Sequence, residues 1–412
     1  MGKIVFVNRF FFPDQSATSR MLSDLACHLA GRGYGVAVVT SRLRYEDAAA
    51  AYPPLEVIDG VEVHRVWTSS FGRFVLPGRA LDYVTFYLSA ARALNRLLRA
   101  GDVVVAKTDP PLISVVAQRA ASRRGAHLVN WTQDLFPEIA AALGVGFLDG
   151  RFGRWVQRLR NRSLARSDMT VAIGERMAQR LITEGVPEDR VRIIHNWVDG
   201  DAIQPLPRQG NPVRAEWGLD DRFVVGYSGN FGRVHEYGTV LTAAELLRAE
   251  QDVVFVFIGG GASLERFKDA CALRRLENVR FFPYQPEARL RESLGACDLH
   301  LVILRPEIEG LVVPSKFYGV AAAGRPTLFI GDPEGEIARL IGDAEAGLSV
   351  ETGDGAALAA AIRRLRDDAV VREALDRSAR ALFDQAFARN RALARWEEAL
   401  ETVLSRPPCG ER

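Results

Sequence analysis

Between Glu307 and Pro326 the chain reads Glu-Ile-Glu-Gly-Leu-Val-Val-Pro-Ser-Lys-Phe-Tyr-Gly-Val-Ala-Ala-Ala-Gly-Arg-Pro, a run whose residue types suit the binding of an anion. It leaves an apolar, strand-like segment, carries a carboxylate at Glu309 beside Gly310, and enters a helix at Pro314, a residue suited to a first turn. Ser315 and Lys316 then fall in that first turn, where the helix dipole disfavours a cation unless an anion joins it. Only four of the 53 basic residues are lysines, so arginine is the default cation of this chain. Lysine at this position supplies a compact point charge. The plain alternative is a solvated surface lysine.

Two other loops have the composition that lets backbone come close to a ligand. The strand pattern Phe223–Ser228 runs into Gly229-Asn230-Phe231-Gly232-Arg233-Val234-His235-Glu236 and then into a helix. Glycines there let N–H groups reach a phosphate, the helix start adds positive potential, and Arg233 adds a fixed charge. A tight turn with a solvated arginine fits the same residues equally well. The pattern Val253–Ile258 ends in Gly259-Gly260-Gly261, a further turn where side chains would obstruct a ligand.

These loops need elements to hold them. Short β-branched runs alternate with helical patterns along most of the chain, which reads as parallel sheet with crossover helices. The first series is Lys3–Asn8, Gly35–Thr40, Val61–Val66, Asp102–Ala106, His127–Trp131, Met169–Ile173 and Arg192–His195. After a loop with Pro205, Pro207, Gly210 and Pro212 a second series begins: Phe223–Ser228, Val253–Ile258, Val279–Phe282, Asp298–Leu304, Thr327–Ile330 and Leu348–Val350. Helices are clearest at Ser16–Arg32, with Met21, Leu22, Leu25, Ala26 and Leu29 on one face, and at Ala386–Leu404, with Phe387, Leu393, Trp396, Leu400 and Val403 as a stripe. The expected architecture is α/β: two doubly wound Rossmann-like domains, residues 1–205 and 206–385, facing across a cleft. Residues 386–412 form a terminal helix that packs back towards the first domain.

Composition bounds the rest. The 412 residues are 48% hydrophobic and 25% charged, an ordinary globular balance that excludes wholesale disorder. No apolar run approaches the ~18 residues of a membrane-spanning helix. The cysteines (Cys27, Cys271, Cys297, Cys409) show no ligand spacing and argue against disulfides or structural zinc. A cytoplasmic protein is expected. The net charge of +2 gives no overall pull towards nucleic acid, and no recognition motif accompanies the basic residues. The balance is uneven, however: residues 1–200 hold 26 Lys/Arg against 19 Asp/Glu, so the first half faces something anionic.

The Pro314–Pro326 segment resembles the signature of retaining glycosyltransferase family four, in its branch of bacterial surface-polysaccharide enzymes that read P-S-K-x-x-E-x-x-A-A-G-K/R-P. The resemblance extends over nearly the whole chain. Phe12-Pro13 follows the opening strand, and Trp131-Thr132-Gln133-Asp134-Leu135-Phe136-Pro137-Glu138 matches x-x-x-D-L-W-P-E. Ile194-His195-Asn196-Trp197-Val198-Asp199 resembles I-P-N-G-V-D, and Tyr227-Ser228-Gly229-Asn230-Phe231-Gly232 resembles Y-x-G-N-x-G.

The resemblance implies the two-domain GT-B fold and transfer of a sugar from a nucleotide-sugar, UDP-linked in much of this branch, to a hydroxyl of a lipid-linked saccharide. The nucleotide-sugar is a substrate, so no cofactor is expected. In the family the C-terminal domain holds the donor and two basic side chains neutralise its diphosphate; Arg233 and Lys316 occupy those places here. Gly229, Asn230, Gly232, Gly260, Gly310 and Ser315 belong to the donor loops by the same reasoning. His235 lies close to where many members carry a further basic residue, and Glu309 resembles the first glutamate of the paired-glutamate motif, which contacts the donor sugar. The second glutamate of that motif falls at Gly319. Asp134 is implied to orient or deprotonate the acceptor hydroxyl; helix capping is its alternative. The family's N-terminal Gly-Gly turn is replaced by Ser16-Ala17-Thr18-Ser19, whose Ser16 and Thr18 hydroxyls either meet the acceptor or cap the helix. Asp199-Gly200-Asp201 has the spacing that glycosyltransferases of another fold use for manganese, and reads here as coincidence, so no metal is expected.

Two stretches of the first half, Phe71–Arg99 and Arg151–Arg166, carry eleven arginines against the single acid Asp82, interleaved with Phe71, Phe74, Tyr83, Phe86, Tyr87 and Trp155. Basic amphipathic helices with aromatic anchors suit an anionic membrane surface, and peripheral attachment at the inner face of the cell membrane is one expectation. An ordinary core-facing stripe with a solvated arginine face is the other. Two rival functions share the donor pocket: a nucleotide-sugar 2-epimerase of the same fold, and a non-catalytic nucleotide-sugar-binding partner.

Overall fold

The computed structural model describes residues 2–14, 17–44, 52–71 and 76–407. They divide into two compact units, one of residues up to Ile194 together with those from Leu393 onward, the other His195–Ala392.

The first unit is built on an eight-stranded sheet of β1 (Ile4–Val7), β2 (Val36–Ser41), β3 (Leu55–Ile58), β4 (Val61–Val66), β5 (Val103–Lys107), β6 (His127–Trp131), β7 (Met169–Ala172) and β8 (Val191–Ile193). The order is β3-β4-β2-β1-β5-β6-β7-β8. Every residue of β1, β2, β5, β6 and β7 is buried, as expected of parallel strands covered on both faces. The helices that matter below are α1 (Ala17–Gly31), α2 (Leu76–Leu97), α3 (Ile113–Arg124), α4 (Glu138–Ala142) and α5 (Arg151–Ala165). The apolar stripe of α1 is buried as its periodicity requires.

One strand lies outside the sequence reading. β3 pairs antiparallel with β4 through a turn in which Asp59 and Gly60 both have positive φ, 48° and 81°. Asp-Gly is the usual sequence mark of a two-residue hairpin. Leu55 and Val57 are exposed because β3 is an edge strand, which removes the apolar alternation that periodicity detects.

The second unit holds β9 (Phe223–Asn230), β10 (Val253–Gly260), β11 (Val279–Phe282), β12 (Leu299–Ile303), β13 (Thr327–Gly331) and β14 (Gly347–Glu351), all parallel, in the order β11-β10-β9-β12-β13-β14. Strand order reverses at β9, and β12 pairs with it only at Leu299↔Val225 and His300↔Gly226. Beyond those pairs the carboxyl ends part. Such a switch point is where open α/β sheets bind ligands. Both units are thus Rossmann-like, the two halves of a GT-B fold.

The proline-bearing loop expected between domains is fastened within the second unit. Arg208 pairs with Asp298 at 2.9 Å and with Asp376 at 2.7 Å. The compact units divide instead after Ile194, where Asn196 and Trp197 are already buried and Val198 bridges to Ala388.

The last helix runs Arg389–Leu404 rather than from Ala386. Ala388 is extended, with ψ 137°, and Phe387 stays in the second unit, its ring 5.0 Å from Tyr318. Leu393, Trp396, Leu400 and Val403 remain as the buried stripe. Trp396 packs on Trp131 with centroids 4.6 Å apart, and Glu397 meets His28 and Arg32 of α1 at 3.3 and 3.0 Å. Cys27, Cys271 and Cys297 are free thiols, and Cys409 lies outside the described residues. No described helix is long and apolar enough to cross a membrane.

Trp396 is fully buried against β6 of the first unit, so Trp396→Ala should destabilise that unit by about 3–5 kcal/mol. Denaturant unfolding should show a lower midpoint, with Trp396→Phe intermediate. An unchanged midpoint would mean that the helix contributes nothing to the first unit.

Candidate functional site

At the carboxyl ends of β9 and β10, Gly229 stands opposite Gly259. Their φ angles are +127° and +135°, and a Cβ on Gly259 would lie 2.3 Å from the Gly229 carbonyl oxygen. Only glycine allows this approach, which leaves a floor of bare backbone. Gly260 faces the ring of the exposed Tyr284, and the Phe231 N–H donates to the Gly260 carbonyl at 2.6 Å, closing the loop over the strand ends.

Lys316 reaches this floor from the start of a short helix, Lys316–Ala322, which begins two residues later than Pro314. Its ammonium donates to the Tyr227 hydroxyl and to His235 Nε2, the latter at 2.7 Å, and lies 4.2 Å from the centre of the Tyr227 ring. Tyr227 OH in turn donates to the Asn230 carbonyl at 2.9 Å. His235 Nδ1 is 3.0 Å from the Gly232 carbonyl, which fixes the proton on Nδ1 and leaves Nε2 as the acceptor. Asn230, Gly232 and His235 therefore fold round one amine. Burial pushes the Lys316 ammonium down to about 7. Burial and then the Lys316 charge push His235 down to about 3. His235 is neutral and holds Lys316 without adding positive charge of its own.

No carboxylate among the described residues pairs with Lys316. Arg233, two residues from His235, is exposed and makes no ion pair among the described residues. The structure thus presents one tethered cation at Lys316 and one exposed cation at Arg233, two residues from the His235 that holds Lys316, an arrangement suited to a diphosphate.

Glu309 follows the β12 strand and is joined to Gly310, whose φ of +72° turns the chain. Glu309 Oε1 accepts from the backbone N–H groups of Glu336 at 2.9 Å and Gly310 at 3.3 Å. Oε2 is buried with no hydrogen-bond partner, and a Cβ on Gly335 would come within 2.6 Å of it. Burial raises this carboxyl above the usual range. Ser315 is exposed and makes no capping bond. Gly319 sits in the helix, where a Cβ would meet Leu294 at an ordinary contact of 3.6 Å.

In the first unit the order also reverses, between β1 and β5, and Asp134 lies there. It lines a cavity of about 310 Å³ with Arg9, Thr18, Arg79, Tyr83 and Asp109. Asp134 Oδ1 is buried without a partner; burial, then the Asp109 charge, pushes the carboxyl up to about 6 against a hydrogen bond from Thr108. It caps no helix: α4 is preceded by Pro137 and has no side-chain cap. Thr18 reaches the same cavity, and Ser16 lies outside the described residues. Arg9 and Arg79 both lie against Tyr83, at 5.1 and 5.4 Å from its ring centre. Asp199 does not face Asp201 as a metal pair; its Oδ1 accepts from the N–H groups of Asp201 and Ala202 at 2.9 and 3.2 Å. Among the described residues no cluster of three or more His, Cys, Asp or Glu is placed to hold a metal.

Tyr227, Gly259, Arg9, Tyr83 and Asp109 were not among the sequence candidates. Tyr227 stood within the Y-x-G-N match, and Gly259 within the glycine run. Tyr83 was marked only as an aromatic of the arginine-rich stretch, and nothing in the sequence marks Arg9 or Asp109, because their role depends on which strand ends meet.

Comparison with known proteins agrees with this geometry. Residues 16–197 match the family described as Glycosyl transferase 4-like domain, and residues 211–382 match Glycosyl transferases group 1. The chain is 28% identical over 362 residues to a "Probable glycosyltransferase WbjE" of Pseudomonas aeruginosa, covering 87% of this chain and 88% of that one. It is 25% identical over 362 residues to a "Putative colanic acid biosynthesis glycosyl transferase WcaI" of Escherichia coli, covering 82% and 85%. Among solved structures, HepE of Anabaena in complex with UDP superposes with a TM-score of 0.73 at 16% identity, covering 97% of this chain and all (100%) of that one. The chain therefore belongs to the GT-B glycosyltransferases, with a 4-like domain followed by a group 1 domain, and is related to those of bacterial polysaccharide biosynthesis.

Proposed function

We propose that the protein transfers a sugar from a UDP-linked donor to a hydroxyl of a lipid-linked saccharide, with retention at the anomeric carbon and without metal, in cell-surface polysaccharide synthesis. The observation that carries this reading is Lys316: a partly buried ammonium held by Tyr227 and His235 and paired with no carboxylate, over a glycine floor at the strand switch point. A desolvated cation without a counter-ion is costly unless a ligand supplies the anion. HepE has been solved with UDP-glucose, which makes a UDP-sugar the natural choice for that anion.

In this reading the donor diphosphate takes the remaining Lys316 N–H and draws Arg233 inward. The bond from the anomeric carbon to the diphosphate oxygen breaks, and its electron pair leaves with the phosphate. Lys316 and Arg233 are most valuable at that moment, because charge on the leaving group is greatest there. Glu309 Oε2 accepts a hydrogen bond from a donor-sugar hydroxyl. The acceptor oxygen attacks the same face, and its proton passes to the departing phosphate. Asp134, near 6, is a base matched to neutral pH for orienting that hydroxyl. The acceptor's lipid carrier places the first unit beside a membrane, in keeping with its arginine excess. The test is a panel of UDP-, GDP- and dTDP-sugars with and without membrane lipid extract. Acceptor-dependent nucleotide release supports transfer; isomerised donor alone means an epimerase, and binding without turnover a non-catalytic partner.

Lys316→Ala or Arg233→Ala should each weaken nucleotide-sugar binding and slow transfer by about 2–4 kcal/mol, measured as kcat/KM. Wild-type rates in both would remove the diphosphate assignment. With its charge neutralised by side chains, the enzyme should keep its turnover in excess EDTA; complete loss restored by manganese would contradict the metal-free reading.

A pH effect follows from the same amine. Free Lys316 titrates near 7, and an adjacent diphosphate raises that value, so UDP binds the protonated form. Affinity should fall as pH rises above 7, and binding at pH 8 should take up about one proton. Calorimetry in buffers of different ionisation enthalpy measures the uptake, which Lys316→Met should abolish. An uptake that survives in Lys316→Met would place the titrating group elsewhere.

A further inference from the structure

The arginine-rich helices expected to meet a membrane are arranged differently from their sequence reading. On α2 the aromatics turn inward: Phe86 is buried, Tyr83 lies under Arg9, and the Tyr87 hydroxyl donates to the Pro111 carbonyl. Arg73 and Phe74 lie outside the described residues. The apolar residues that α2 does show to solvent are aliphatic, with Leu81, Val84 and Leu88 between 45% and 56% exposed. On α5, Arg160 is withdrawn, buried between Glu138 and Glu184. The aromatics of α5 are the ones outside. Phe152 and Trp155 are each more than half exposed and stack at 5.8 Å, and Phe147, just before α5, lies 6.2 Å from Phe152.

Phe152, Trp155 and Leu159 fall at i, i+3 and i+7, one face of α5. Leu159 leads that face into an apolar groove of about 450 Å³, shared with Val84 and Leu88 of α2 and Val116 of α3, and lined also by Arg119 and Arg123. This is the size of a small-ligand pocket, but one walled almost wholly by hydrocarbon. Helices α2, α3 and α5 together contain eleven arginines and one acid, Asp82, which is buried. All but Arg160 are exposed, and none of those on α3 and α5 pairs with a carboxylate among the described residues. The α3 arginines were not part of the sequence expectation; they turn two basic stretches into one face.

An aliphatic groove opening between unpaired guanidiniums, beside a tryptophan and two phenylalanines, matches one partner in both charge and polarity. We infer that the groove between α2, α3 and α5 binds the acyl chain of an anionic bilayer lipid, with Phe147, Phe152 and Trp155 seated at the interface and the arginines on the headgroups. The inference deepens the membrane attachment proposed above and rests on it. It turns a diffuse charge attraction into a lipid site with defined walls. A protein partner would have to match both the groove and the arginines, with apolar side chains in the one and acidic side chains against the other.

The full chain is mixed with vesicles of phosphatidylcholine alone, or with an equal amount of phosphatidylglycerol, and sedimented. A parallel series carries bromine on the acyl chains to quench tryptophan by contact. Binding should require phosphatidylglycerol, brominated chains should quench, and Trp155→Phe should remove most of that quenching. Leu88→Glu, at an exposed position checked by circular dichroism, should lower vesicle affinity about tenfold. Equal binding to neutral vesicles overturns the inference, as does no binding, or attachment that Leu88→Glu leaves intact without chain quenching. The assay uses no nucleotide-sugar. UDP binding retained by a protein that ignores vesicles removes only the lipid site, whereas vesicle binding without UDP binding removes only the donor site.

Discussion

An ammonium ion with no counter-charge is the constraint to which the rest of the second unit is fitted. Lys316 sits where burial costs it its charge near neutrality, and the two groups that hold its ammonium are uncharged: a phenol and a neutral imidazole. A carboxylate in their place would satisfy the amine and close the site to an anion. The loop from Tyr227 to His235 is shaped to present acceptors instead, and its glycines keep the space in front clear. The strand reversal at β9 supplies the opening into which all of this faces.

Burial works in opposite senses in the two units. It lifts the Asp134 carboxyl to about 6 and lowers the Lys316 amine to about 7, so each group stands close to its change of charge. Groups displaced towards neutrality in this way are the ones able to gain or lose a proton in a reaction. Neither shift relies on an ion pair of opposite sign, as a purely structural salt bridge would. The ion pairs that do hold the fold together, such as Arg208 with Asp298 and Asp376, lie elsewhere.

Much of the fold was readable because parallel strands buried on both faces are nearly continuous apolar runs. The β3 strand escaped because its outward residues are apolar at an edge, although Asp59-Gly60 announced the turn. The terminal helix begins three residues later than the apolar run from Phe387 suggests, because Phe387 packs on Tyr318 and belongs to the other unit. Lys316 was legible through the scarcity of lysine. Its bonds to Tyr227 and His235 were not, for they join residues 89 and 81 positions away. His235 was read as a basic residue by position alone; only its burial beside Lys316 shows that it is neutral. Arg160 could not be told from its neighbours by type, and the two glutamates that enclose it stand 22 and 24 positions distant.

The helix that begins at Arg389 has a consequence for how the protein is made. Trp396 completes the wall against Trp131, yet about two hundred residues of the second unit lie between the two halves of the first. During synthesis the first sheet leaves the ribosome with that wall open. At 5–20 residues per second the wait for its closing helix is roughly 10–40 s, time enough for the second unit to fold. The amino-terminal unit of this protein is therefore the last to be finished.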